Sequence, residues 1–382
     1  MRTIELKEIG KSLKLFQNAG KLVTILGNVL VKNQKGKLTF TVSTLEEFFT
    51  GSMISDCSKA FEVLVETSQL VKIIDFLEEE VFEVGLTQDH LIFSSGGLEY
   101  KLLMNGSDLI GDFPSVGVGG VSFKDFPKPE YISCSRVLLD EIVKRVGFCT
   151  AEKSRNASYS GMLFTPNLDD PEISDIVATD IWRLIQAKTG LFKVETPFVL
   201  PLTVAKNTLK IFKVFTGFEV FFTKNDDELP MSFIRVHNSS GTYYARLLRN
   251  EFPQYAQILS PIDKFPTGKV DRVELLHIID KMAKLDKDAI VPVRFEVPQD
   301  GDTFLKLSSK SITGKVDWKG HGGFLVGVNA NLLVDYLKIS KQVEIDLGVS
   351  LSESCGPTVK PVFIKEKTGT LEIFYIQMPV KL

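Results

Sequence analysis

Tryptophan, histidine and cysteine are scarce in this 382-residue chain, with 2 Trp, 4 His and 4 Cys. Cys57, Cys134, Cys149 and Cys355 show no CxxC or other ligand spacing. They read as reduced thiols in a cytoplasmic protein rather than as disulfides or metal ligands. His90, His237, His277 and His321 stand apart, with no HxH, HExxH or neighbouring Cys, which argues against a metal centre. No GxSxG is present, and no Ser/His/Asp arrangement is evident. Gly117-Val-Gly-Gly120 looks superficially like a phosphate loop but lacks the later Gly and the Lys-Ser/Thr that would follow, so a turn is expected there. No run approaches the ~18 apolar residues of a membrane span. The basic start at Met1–Lys7 is not followed by the apolar block of a signal peptide. A strong charge of either sign is missing too. The net charge is −3, so a nucleic-acid partner would require positive charge gathered on one surface.

The chain is long enough for two or three domains. Its 44% apolar and 24% charged residues suit a folded protein, and 28 Phe suit a β-rich one. A unit of about 125 residues recurs three times. Each unit has two halves, an amphipathic helix followed by strands. The first halves open with Leu6–Gly20, Ser135–Cys149 and Asp271–Lys287, and the second with Ser68–Glu79, Pro201–Thr216 and Asn331–Lys341. Leu6, Ile9, Leu13 and Phe16 show the helical spacing. Strands are expected in the first halves at Thr24–Val31 with Lys37–Val42, Gly161–Thr165 with Ile173–Ala178, and Ile290–Val297 with Thr303–Ser308. In the second halves they are expected at Val81–Leu86, His90–Ser94 and Tyr100–Met104, then Phe218–Phe222, Met231–His237 and Thr242–Leu248, then Gln342–Leu347, Lys360–Lys365 and Leu371–Met378. Units one and two close on Asp112-Phe-Pro114 and Glu251-Phe-Pro253. The expected architecture is α+β, in three domains at 1–126, 127–259 and 260–382, each with two helices backed by curved antiparallel sheets.

Cations recur along these helices. Lys7, Lys11 and Lys14 stand at i, i+4, i+7, which is one face, and Lys206, Lys210 and Lys213 repeat the spacing. His277, Lys281 and Lys284 repeat it again, and the last helix carries Lys338 and Lys341. Summed over the six helical segments the charge is positive, against a negative whole chain. The second helix, with Asp75 and Glu78-Glu-Glu80, departs from the pattern. Long mobile cations directed at phosphates hold a nucleic acid without reading its bases.

The phrases Gly161-Met-Leu-Phe164, Val177-Ala-Thr-Asp180 with Arg183-Leu184, and Glu251-Phe-Pro-Gln-Tyr255 with Pro261 resemble signatures of the bacterial DNA polymerase III beta subunit, the sliding clamp. So do Val328-Asn329 with Leu333–Leu337, the ending Tyr375–Leu382, Ile25-Leu26-Gly27-Asn28 and Asp112-Phe-Pro114. The ordered set covers the whole chain. The resemblance implies a DNA clamp fold and a non-catalytic head-to-tail homodimer closing into a ring around double-stranded DNA, with no cofactor and no membrane. The eleven cations named above would face DNA. Edges around Leu102, Leu103 and Met104 in the first domain and around Leu285 in the third would join the protomers.

The resemblance further implies an apolar pocket for short linear peptides of the polymerase III catalytic subunit and the clamp loader. Its lining would be Thr179, Ile181, Trp182, Arg183, Leu184, Pro253, Gln257 and Ile258, with Asn329, Leu332, Val359, Pro361, Ile376, Met378, Pro379, Val380 and Lys381. Several positions depart from the family. Ile181-Trp182 replaces Gly followed by His or Tyr, Leu332 replaces an aromatic, Gln257 a basic residue, and the tail reads Pro-Val-Lys rather than Pro-Met-Arg. Thr24 stands where a proline precedes Ile25. These departures fit an alternative, a clamp-like paralogue from a mobile element or repair system that forms the ring but serves other partners. Asp180 is expected to serve turn chemistry rather than general-base catalysis.

Overall fold

The structure, a computed structural model, describes the chain except residues 22, 115–127, 152–153, 155, 223–231, 250, 260–266, 287, 298–302, 321–322 and 350–360. In chain order it begins with helix α1 (Thr3–Leu13), strands β1 (Asn28–Gln34), β2 (Lys37–Ser43), β3 (Glu47–Ile54) and β4 (Phe61–Glu66), and α2 (Thr67–Phe76). Next come β5 (Glu83–Leu86), β6 (His90–Ser95), β7 (Leu98–Asn105), β8 (Glu130–Ile132) and α3 (Arg136–Arg145). The middle holds β9 (Gly161–Pro166), β10 (Ser174–Thr179), β11 (Arg183–Thr189), β12 (Phe198–Pro201) and α4 (Leu202–Ile211). It continues with β13 (Phe218–Phe222), β14 (Ser232–Asn238), β15 (Gly241–Arg246) and the single turn α5 (Ala256–Leu259). The last third contains β16 (Thr267–Asp271), α6 (Arg272–Asp286), β17 (Pro292–Val297), β18 (Phe304–Ser308) and β19 (Thr313–Asp317). It ends with β20 (Lys319–Gly320), β21 (Phe324–Asn329), α7 (Ala330–Ile339), β22 (Glu344–Val349), β23 (Val362–Thr368) and β24 (Leu371–Gln377).

Two compact units form, one of Met1–Arg136 with Thr203–Leu247 and the other of Val137–Leu202 with Leu248–Leu382. The first is built on an antiparallel sheet in the order β5-β6-β7-β4-β1-β2-β3-β15-β14-β13-β8. The second has sheets β12-β9-β10-β11-β24-β23-β22-β16-β20 and β19-β18-β17-β21. In α1 the buried apolar side chains are Leu6, Ile9 and Leu13, the face expected from their spacing. Gly10 lets α1 approach α2 closely, because a Cβ there would come within 2.8 Å of the Ile74 side chain.

The threefold repetition extends to single hydrogen bonds. The first helix of each repeat opens with the same long-range bond: Thr3 N to Glu80 O (2.9 Å), Arg136 N to Phe215 O (3.2 Å) and Arg272 N to Val343 O (2.8 Å). The second helix follows its strand without a spacer and closes alike, with Leu77 N on Ile73 O (3.2 Å), Phe212 N on Thr208 O (3.0 Å) and Ser340 N on Tyr336 O (3.0 Å). A tight turn recurs at Thr44 N to Glu47 O (2.9 Å), Asp180 N to Arg183 O (3.3 Å) and Ser309 N to Ile312 O (2.8 Å).

Several boundaries differ from the sequence expectation. The helices are shorter at their C-terminal ends: α1 stops at Leu13, where Gly20 was expected, and α4 at Ile211, where Thr216 was expected. Thr24–Gly27 forms a 3₁₀ turn rather than the start of a strand. Strands β3, β4, β8, β11, β12, β16, β19, β20 and β21 were not anticipated. The loop at Gly117–Gly120, the domain boundaries near 126 and 260, Met231, Pro261, His321, Cys355 and Val359 lie outside the described residues.

Candidate nucleic-acid face and peptide site

The cationic helices carry more acid pairing than their sequence spacing suggested. In the first unit Lys14 bridges α1 to Asp75 beside it on α2 (2.9 Å), and Lys213, just past α4, reaches Glu8 of α1 (2.8 Å). Lys11 also lies 3.3 Å from Glu8. In the second unit Lys338 of α7 reaches Asp280 of α6 (3.1 Å), Lys284 pairs with the same carboxylate, and Lys341 reaches Glu141 of α3 (3.6 Å). At least six of the eleven cations expected to face DNA are thus in surface ion pairs. Lys206, Lys210, His277 and Lys281 are exposed, and Lys7 is half-buried. The hydrogen bond from Lys213, then that from Lys11, holds Glu8 below its ordinary carboxylate range, and Lys284 followed by Lys338 does the same for Asp280. Both acids therefore stay charged at neutral pH. Exposed pairs of this kind contribute about 0–1 kcal/mol each. They orient the lysines more than they stabilise the fold.

The expected peptide residues lie in the second unit, where neighbouring strands bring several of them together. Leu184 stands opposite Thr179 on β10 and opposite Ile376 on β24, and Ile376 stands opposite Phe363 on β23. Leu163, Val177, Leu184, Val199, Phe363 and Ile376 form one buried cluster, against which Phe252, Tyr255 and Ile258 pack. Further along the same strands the surface turns polar. A cavity of about 330 Å³ there is lined in part by Asn167, Asp175, Gln186, Tyr255 and Phe374. Burial raises the Asp175 carboxyl, while amide bonds from Asn167 and Gln186 work the other way.

The turn between β10 and β11 shapes the edge of this cluster. Thr179 Oγ1 donates to Arg183 O (2.7 Å) and accepts from Ile181 N (3.1 Å). Asp180 Oδ1 accepts from Trp182 N (3.1 Å) and Arg183 N (2.9 Å), the turn role expected of it. The turn leaves Ile181 and Trp182 exposed at 60% and 57%. The chain end joins them through Met378 N to Trp182 O (2.8 Å) and Val380 N to Gly327 O (2.9 Å). Met378, Pro379, Val380 and Leu332 are half-buried, Pro253 is half-buried, Pro361 is buried, and Gln257 and Lys381 are exposed.

Ile181 has φ 81°, a left-handed conformation that strains a β-branched residue. Glycine, usual at this position in the family that the sequence resembles, would carry it without strain. Ile181→Gly is expected to raise the unfolding free energy by about 0.5–1 kcal/mol, the strain relieved less the backbone entropy glycine adds. Urea denaturation monitored by Trp fluorescence checks this, and an unchanged or lower midpoint refutes it.

Two expected lining residues do other work. Arg183 is 8% exposed. Its guanidinium reaches Asp180 (2.8 Å), Asp335 (3.0 Å), Leu332 O (3.3 Å) and Phe148 O (3.2 Å). Asn329 caps α7, accepting from Asn331 N (3.2 Å) and Val291 N (3.2 Å). Both are buried, and their polar groups tie neighbouring segments of the second unit together. Of the expected interface residues, Leu103 and Leu285 are exposed and Met104 half-buried, but Leu102 has no exposed surface. Strand alternation turns Leu102 inward opposite Leu91, so it serves the core.

Burial pushes the thiols of Cys134 and Cys149 up, away from the reactive thiolate. Among the described residues no group of His, Cys, Asp and Glu is placed to hold a metal ion, and no helix is long and apolar enough to cross a membrane.

No protein-family model matches the sequence, and no curated protein is significantly similar to it. Solved structures are similar throughout. The chain is similar to the DNA polymerase III subunit beta of Pseudomonas aeruginosa with a TM-score of 0.79 and 20% identity, covering 100% of this chain and 99% of that one. The DNA polymerase III beta subunit of Thermotoga maritima gives 0.79 and 21%, over 100% and 98%. The DNA polymerase sliding clamp of Bacillus subtilis gives 0.80 and 16%, over 100% and 98%. The chain therefore has the fold of the bacterial sliding clamps over its whole length. At such identities the likeness is one of fold, and the sequence stands far from each of these clamps.

Proposed function

We propose that the chain is a sliding clamp, a non-catalytic subunit of three domains at 1–126, 127–259 and 260–382. Two copies close into a ring around double-stranded DNA in the cytoplasm and hold a replicative polymerase there. The observation that carries this reading is the whole-chain likeness to clamps at TM-scores near 0.8. The threefold hydrogen-bond pattern and the lysine-bearing helices support it. Phosphate-directed lysines on mobile stems suit a protein that slides and does not read sequence. The partner contact would be a linear peptide whose apolar side chains rest on the surface of Trp182, Leu332, Met378, Pro379 and Val380, above the Leu184–Ile376 cluster. The strained Ile181 and exposed Trp182 favour a second reading within the same class, a secondary clamp that serves partners other than the housekeeping polymerase.

The test is topological. Loaded by a clamp loader onto nicked circular DNA, the protein should stay bound on gel filtration and be lost when the circle is cut. Equal retention on circular and linear DNA would contradict a ring. Replacing Lys206, Lys210 and Lys213 together with alanine should flatten the dependence of log K on log salt by about 2–3 units, roughly one for each phosphate no longer neutralised. An unchanged slope would remove α4 from the DNA face.

A further inference from the structure

The repeated hydrogen bonds give each residue of one repeat counterparts in the other two, and one set of counterparts is reversed in charge. Thr3, Arg136 and Arg272 make the equivalent opening bond of the first helices. Five residues on stand Glu8, Glu141 and His277. The closing bonds at Leu77, Phe212 and Ser340 align the second helices, and the next residues are Glu78, Lys213 and Lys341. Two pairs from these sets are joined. Lys213 reaches Glu8 (2.8 Å) within the first unit, and Lys341 reaches Glu141 (3.6 Å) within the second. In both, a lysine after the second helix of one repeat meets a glutamate on the first helix of the repeat before it. Glu78 of the first repeat and His277 of the last complete the series, with acid and base exchanged.

The strand edges follow the same series. Strand β15 pairs with β3, Tyr243 opposite Phe49, and β24 pairs with β11, Tyr375 opposite Ile185. The turn bond at Ser309 makes Gly314 of β19 the counterpart of Phe49 and Ile185. The bridge of Leu64 to Asn105, equivalent to Val199 with Leu248, makes Tyr100 of β7 the counterpart of Tyr243 and Tyr375. Strand β19 is outermost in its sheet, and β7 meets β4 only at Met104 and Asn105, so both keep open edges among the described residues. In the inherited register Gly314 faces Tyr100 and Lys315 faces Glu99, opposite charges across the junction.

We infer that Glu78 of one copy meets His277 of a second copy beside this strand junction, which makes closure of the ring sensitive to pH. The inference rests on the homodimeric clamp reading. It adds the residues that meet and the sign of the response.

Charged groups of both signs surround that position. Glu79 and Glu80 follow Glu78, and Asp75, a turn back on α2, is paired with Lys14 of α1. Beside them on β7 lie Glu99 and Lys101. On α6, Glu274, Asp280 and Lys281 lie one turn from His277, with Asp280 held by Lys284 and by Lys338 of α7. The packed strands bring Lys269 and Asp271 on β16 and Lys315 and Asp317 on β19. An imidazole ordinarily changes charge between about pH 5 and 8. Pairing with Glu78 holds the proton more tightly in the dimer than in the free chain. The stabilisation is therefore complete below the free chain's titration and fades as pH rises through the dimer's higher one.

Sedimentation equilibrium of the full chain, at constant ionic strength from about pH 5.5 to 8.5, tests this. The dimer Kd is expected to rise about three- to tenfold across that range, two exposed pairs being broken per ring. His277→Gln and Glu78→Gln should each remove most of the rise, and His277→Lys should keep the dimer at its low-pH affinity throughout. The double variant Glu78→Lys/His277→Glu, with the polarity of the other two junctions, should dimerise without pH dependence. A dimer whose pH response is the same in His277→Gln would overturn the pairing and leave the ring intact. A chain that is monomeric at every pH and concentration would overturn the ring reading and the pairing together.

Discussion

Replacing Glu366 with alanine is expected to lower the stability of the second unit by about 3–5 kcal/mol, the usual cost of removing one member of a buried ion pair. Glu366 and Arg145 are 1% and 2% exposed at their side chains and meet at 2.6 Å. Arg145 also holds Glu141 (2.7 Å), and Ser340 donates to the other oxygen of Glu366. The pair thereby ties α3 to β23 and to the end of α7. Alanine would leave the buried guanidinium with Glu141 in place of two carboxylates. Glu366→Gln keeps hydrogen-bond acceptance but not the charge and should fall between wild type and alanine. The double replacement Arg145→Met/Glu366→Leu should come within about 1–2 kcal/mol of wild type, because buried pairs return little net stability over apolar residues of similar size. Urea unfolding curves of the three variants measure this. A loss under about 1 kcal/mol for Glu366→Ala would mean that water reaches the site.

That pair could not be read from the sequence. Arg145 and Glu366 are 221 positions apart, and nothing in the spacing of either marks it as buried. The helices were readable because their apolar faces recur at helical spacing, as at Leu6, Ile9 and Leu13. Helix ends were not, because the turns after Leu13 and Ile211 continue with residues such as Phe16 and Phe215 that are buried but not helical. Strands such as β11 were missed because both their faces are covered, so that Arg183–Thr189 lacks the polar alternation of a half-buried strand.

The expected site residues divide in the same way. Short phrases singled out Leu184 and Ile376, which strand pairing joins in one buried cluster. The lysine stripes were visible as spacing. Their distant acids were not, since Glu8 meets Lys213 from 205 positions away. Leu102 was misplaced because a run of three residues was taken as one edge, whereas alternation along β7 turns its first member inward.

Arg183 shows how a residue assigned to a binding surface can act from beneath it. Its guanidinium stacks over the Phe148 ring (5.0 Å) and holds four acceptors on three segments: Asp180 in the turn, Asp335 and the Leu332 carbonyl on α7, and the Phe148 carbonyl. Arg183→Met is expected to cost about 2–4 kcal/mol, because it leaves buried acceptors unmet. Tyr375 still donates to Leu332 O (3.2 Å), so the larger losses fall on Phe148 O and Asp180. Arg183→Lys should recover little, since an ammonium cannot span these positions as a planar fork does. If the proposed peptide surface depends on the turn that Arg183 anchors, peptide affinity should fall at least about tenfold in Arg183→Met even where circular dichroism shows it fully folded. Trp182→Ala, which removes surface without touching the frame, should lose affinity with unchanged stability. Equal affinity in Arg183→Met and wild type at a temperature where both are folded would separate the frame from the site. The exposed groups at Trp182 and Met378 would then bind without help from the turn beneath them.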